Sequence, residues 1–173
     1  AEKEVEASRK RIANAEDGAD ASLKGKAAGR AGKRENLKKE YSDKHNKAAE
    51  LIAIVGHPLY TFTKENEALA ELLKQFKESR SEELLLKIRD LSVHYAKKGD
   101  LLYPQLKVKY GISGPSDVMW TVDDEIRDDL GILMKESPRS ADWNTRLDGV
   151  LKRVEEMIYK EQNILFPICA VNF

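Results

Sequence analysis

A chain of 173 residues with 41% apolar and 35% charged residues has the balance of one helical domain with a solvated outside and a proper core. Formal net charge is zero, which argues against nucleic acid as the main partner, because phosphate binding needs a concentrated basic field. No apolar run approaches the roughly 20 residues that cross a bilayer, and no signal-peptide pattern is present. Cys169 is the only cysteine, so an internal disulfide is excluded and a cytoplasmic location is the natural expectation.

Residues 1–46 differ from the rest. They hold 12 Lys/Arg against 9 Asp/Glu, few large apolar residues, and Gly18, Gly25, Gly29 and Gly32 spaced through Ala- and Lys-rich sequence. Glycine costs about 1 kcal/mol in a helix interior, so the expectation is short, weakly packed helices or a linker. The domain proper is placed at 47–173. It opens with an apolar lead-in, Ala48 to Val55, stopped at Gly56. His57-Pro58 then marks a helix start, since Pro at the first helical position loses no hydrogen bond. That helix is predicted to reach about Phe76. A second spans about Ser81 to Tyr110, bent near Pro104. A loop rich in turn residues follows, and a third helix runs from about Ser116, as N-cap, to Glu136. After Ser137-Pro138, a fourth runs from about Ala141 to near Pro167. Four such helices with short connections predict an all-α, antiparallel up-down-up-down four-helix bundle.

Core-facing seams of these helices repeat at alternating spacings of three and four and should be apolar. Three carry an acid at a seam position. Asp123 sits among Met119, Ile126, Leu130 and Leu133. Glu161 follows Val150, Val154 and Met157. Glu65 lies between Phe62 and Leu69, or else Asn66 takes that position in a shifted register. In the second helix the stripe is Leu84, Ile88, Leu91, Tyr95, Lys98 and Leu102, with His94 beside it. One such acid is usually a seam-edge residue paired with Lys or Arg. Acids recurring in three helices with a histidine point instead to a shared cation, because an uncompensated buried carboxylate is costly. There is also an internal echo: Lys97–Pro104 aligns with Lys160–Pro167, matching His94 to Met157 and Lys98 to Glu161.

His57-Pro58 with Lys64-Glu65-Asn66, His94-Tyr95, Leu101 to Pro104, Gly114 to Trp120, Asp123 to Arg127 and Lys160 to Pro167 resemble the hemerythrin-like (HHE cation-binding) domains, most closely a branch joined to PAS sensor domains. The resemblance implies a four-helix bundle with a non-haem iron centre, serving oxygen or nitric oxide binding, redox sensing or iron handling. Carried over, the candidate ligands are His57, His94, Glu65, Asp123 and Glu161. The departures are Lys98 where a ligand Glu would follow His94, Met157 where a ligand His would precede Glu161, and Asp123 where many relatives carry His. Only three histidines exist, and His45 lies outside the match, so a five-His di-iron oxygen carrier cannot be built.

A carboxylate-rich mono- or dinuclear iron site, or haem held by His57, His94, Met119, Met157 or Cys169, are the ligand readings left open. A metal-free interaction bundle is the third. No nucleophile, phosphate-loop or zinc signature is present, so an enzyme is the weakest option. The partners implied are a diatomic gas or a metal or haem ligand, together with a sensor domain. Nucleic acid and membrane are not among them.

Overall fold

The computed structural model describes residues 29–173 and contains helices and no strand among them. The expectation for residues 1–28 lies outside that range. The chain divides after Asp43, and the unit from Lys44 to Phe173 holds all the helices from Pro58 onward. Helical backbone over 29–52 (α1) ends in a turn closed by Gly56, whose φ of 89° suits glycine.

Helix α2 spans Pro58–Ser79. His57 is its N-cap: its Nδ1 accepts the Leu59 N–H at 3.1 Å, satisfying one of the free donors of the first turn. Leu59, Phe62, Asn66, Leu69, Leu73 and Phe76 face inward at the predicted spacing. Asn66, not Glu65, takes the buried seam position. The helix ends at Arg80 in the left-handed region, and its guanidinium ties the end to Asn144 and Asp148.

The second arm differs from the expectation of one helix bent at Pro104. It breaks first at Asp90, giving α3 (Glu82–Arg89) and α4 (Leu91–Lys97). Two π-helical turns then follow, Lys98–Leu102 and Gln105–Lys109, on either side of Tyr103-Pro104. Pro104 has no N–H for the carbonyl one turn earlier, and the helix is wound in π turns on either side of it.

Helix α5 spans Gly114–Lys135 with Pro115 in its first turn. Ser116 does not cap it. Its hydroxyl donates to the Ile112 carbonyl at 3.0 Å, so it lies inside the helix and the start moves back to Gly114. Helix α6 spans Trp143–Lys160, continues through a π turn at Glu161–Leu165, and leads into α7 (Phe166–Asn172). The two segments of the internal echo thus share a local structure. Each has a π turn followed by an aromatic-Pro pair, and Tyr103 and Phe166 are both fully buried.

The four arms enclose one apolar core. Helix α5 packs on α6, α2 on α3, α4 and α6, and α4 on α5. Among the described residues no helix is long and apolar enough to cross a membrane. Ile126, at the centre of this core, has no exposed surface, whereas Val118 on the same helix is largely exposed. Ile126→Ala should cost roughly 2–5 kcal/mol in urea denaturation, and Val118→Ala less than about 0.5 kcal/mol.

Candidate cation centre

The inward face of each arm delivers one or two polar groups to the core or its margin. Asp123 comes from α5, Glu161 opens the π turn after α6, and His94 and Lys98 come from the second arm. Glu65 and Asn66 come from α2. Lys98 and Glu161 have 0% exposure, Asp123 has 1% and His94 has 5%.

Lys98 is the hub. Its Nζ donates to Asp123 Oδ1 at 2.8 Å and to Glu161 Oε1, and it lies 4.2 Å from the centre of the Tyr95 ring. His94 sits between two carboxylates, Nε2 at 2.8 Å from Glu161 and Nδ1 at 2.7 Å from Glu65. An ionised carboxylate only accepts, so both contacts are hydrogen bonds when both ring nitrogens carry protons. Asn66 Nδ2 donates to Glu161 Oε2 at 2.6 Å, and the Tyr103 hydroxyl to Asp123 Oδ2 at 2.8 Å. Glu65, at the outer end, also accepts from Lys97. With His94 as imidazolium, two ammonium groups and one imidazolium face three carboxylates, and the cluster is charge-balanced.

The two most buried acids differ in electrostatics. Burial pushes Asp123 up to about 6, with Lys98 and Tyr103 opposing the rise. Burial acts on Glu161 the same way, but Lys98 and His94 outweigh it and hold Glu161 below the ordinary carboxylate range. The difference follows from the partners: Glu161 faces two cations and Asp123 one. For Glu65, burial is likewise overcome by the Lys97 and His94 hydrogen bonds, leaving it below its ordinary range. Burial pushes the Tyr95 and Tyr103 phenols far up, so both stay protonated.

Of the residues singled out by sequence, Asp123 and Glu161 meet at Lys98, His94 joins them through Glu161, and Glu65 is linked at the margin by His94 and Lys97. His57 stands apart: it caps α2 eight residues before Glu65, about 12 Å away along the helix axis. Met119 and Met157 are packed in the apolar core one helical turn before Asp123 and Glu161. Cys169 is buried, its thiol pushed up to about 12 by that burial, and it has the character of a small core residue. Sequence reasoning left Lys98, Asn66 and Tyr103 out of the site. Lys98 carried a legible signal, a lysine within an apolar stripe.

Carboxylates and imidazole are iron ligands in kind. Their arrangement here does not fit a bound iron. Asp123 and Glu161 converge on an ammonium, both nitrogens of His94 are turned to carboxylates, and no group of three His, Cys, Asp or Glu side chains among the described residues is arranged to hold a metal ion. Nor do Met119 and Met157, fully packed among apolar side chains, offer axial positions to a haem.

Among the described residues the protein is all-helical, with buried opposite charges in its core. The sequence profile of the hemerythrin HHE cation binding domain matches residues 57–169, and the chain belongs to that family. Domains of this family bind metal ions, typically iron. No curated protein and no solved structure matches the chain.

Asp123 gives the site a pH signature. A carboxyl whose folded value exceeds its ordinary 3.8 binds more protons folded than unfolded, so its contribution to stability is lost as pH rises from about 4 to about 6. Urea denaturation of wild type and Asp123→Asn across that window should show the wild-type advantage shrinking with rising pH by up to about 3 kcal/mol. A flat difference would mean that Asp123 titrates alike in the folded and unfolded chain.

Proposed function

We propose that the cluster of Glu65, His94, Lys98, Asp123 and Glu161 is the cation centre of this HHE domain. On this reading the domain is a sensory or interaction module organised around that centre, and not a gas carrier or an enzyme. The observation that carries the proposal is the convergence itself. Two buried carboxylates, Asp123 and Glu161, and a third at the margin, Glu65, come from three arms to meet His94, Lys97 and Lys98 of the remaining arm, and buried charges of this kind are tolerated only when paired. A change of charge at that point therefore bears on all four arms at once.

The cluster also reaches the surface. A cleft of about 390 Å³ between α2 and the α3–α4 arm is lined by Leu69, Leu72, Leu91 and Val93, with Glu65 and His94 among its walls. The hydrogen bonds from Glu65 through His94, Glu161 and Lys98 to Asp123 run from this cleft to the middle of the core. That continuity favours a module that passes on an event at its surface. An attached sensor domain is the partner this reading calls for, and the single buried cysteine suits a reducing compartment. The up-down-up-down order favoured by short connections would set Glu65 and Glu161 on neighbouring arms of one bundle.

Amide hydrogen exchange on Glu161→Gln tests the reading. Protection should fall in all four arms, and extend to α2 and α4 beside the cleft. Loss confined to the α6–α7 arm would mean that the cluster is a local ion pair and not an organising centre. An absorption spectrum of purified protein bears on the alternatives: a Soret band would establish haem, and charge-transfer bands an oxo-bridged di-iron centre.

A further inference from the structure

We propose that the ammonium of Lys98 is the resident cation of this bundle, taking the role that a metal ion takes in the family, so that the domain folds and is complete without iron. This rests on the cation-centre reading and adds the identity of the cation.

Three observations carry it. The ammonium is saturated: its three N–H directions have two carboxylate oxygens, from Asp123 and Glu161, and the face of Tyr95 to meet. Its position is fixed by the fold, because Lys98 opens the π turn of the second arm as Glu161 opens that of the fourth. In the internal echo these are equivalent positions. Acids at both would set two carboxylates against each other in the core and call for an added cation. A lysine at one and a glutamate at the other form a pair that neutralises itself.

The third observation is the pairing of the whole cluster. Lys97 meets Glu65, and Lys98 meets both Asp123 and Glu161, so no carboxylate in it lacks an ammonium partner. A divalent ion entering between Asp123 and Glu161 would have to expel the ammonium, since two cations held by the same oxygens repel strongly in a dry core.

The test uses metal content and melting. Wild-type protein loaded with ferrous iron under nitrogen, then desalted, should retain no stoichiometric iron by elemental analysis. Its melting midpoint should be the same with and without EDTA. Lys98→Glu should melt roughly 10 °C or more below wild type in EDTA, through the loss of a buried charge partner. Ferrous iron or zinc should raise the midpoint of that variant and not of wild type. Lys97→Met, which removes the half-exposed ammonium, should stay indifferent to metal. The proposal is overturned if wild type retains stoichiometric iron that Asp123→Asn abolishes, or if Lys98→Glu melts like wild type and ignores metal. Should Lys98→Glu not fold even with metal, the iron content and chelator response of wild type decide alone. Stoichiometric iron in wild type would leave the cation centre standing and remove only its lysine, whereas a purely local response to Glu161→Gln would remove the centre itself.

Discussion

A lysine side chain reaching across the bundle to two carboxylates is the constraint from which the rest of this structure follows. A buried charge is costly unless it is paired and hydrogen-bonded. Lys98, Asp123 and Glu161 are tolerable in the core only together, because each supplies what the others need. Asn66 and Tyr103 answer the lone pairs left over, and His94 links the group to Glu65 at the cleft. The arms are thereby held in one register by directional contacts that leucine packing alone would not provide. Replacing the whole group by apolar residues of similar volume could leave stability unchanged, and what it would remove is that directionality.

Most of the fold was legible because helix periodicity is strong here. The seams of α2, α5 and α6 keep the alternating spacing of three and four, α2 in the shifted register that buries Asn66, and Pro58 stands in the first turn as expected, with His57 as a cap that sequence did not assign. The starts and breaks were less legible. Ser116 has the chemistry of an N-cap but uses its hydroxyl on the Ile112 carbonyl, since Pro115 already lies in the first turn. The interruption at Asp90 was not foreseen, since the apolar stripe runs on through Ile88 and Leu91 on either side of it. The π turns were invisible as such, although the shared aromatic-Pro ends of the two segments pointed to a common local structure.

The site was half legible. An acid at a seam position is a conspicuous exception, and Asp123 and Glu161 stood out for that reason. Glu65 and Asn66 could not be ordered by sequence, because adjacent positions differ by 100° and either lies near the seam. The structure buries Asn66 and leaves Glu65 at the margin, where it serves as the outer link of the cluster. The lysine was the residue misjudged. Seen as a missing ligand, Lys98 reads as damage to a metal site; in the structure its ammonium is the positive charge that the surrounding acids share.

The paired π turns carry a consequence for how the chain can change. Each holds one residue more than an α-helical turn would, and beyond it Tyr103 and Phe166 point into the core. Deleting a single residue within Lys98–Leu102 or Glu161–Leu165 would relax the turn to ordinary helix. Because the widened turn absorbs that extra residue, everything downstream would keep its angular position, and the aromatic side chain would still face the interior. These two five-residue stretches are therefore places where the chain can lose a residue without changing its interior, whereas the same deletion in the regular turns of α5 would rotate all that follows by about 100°.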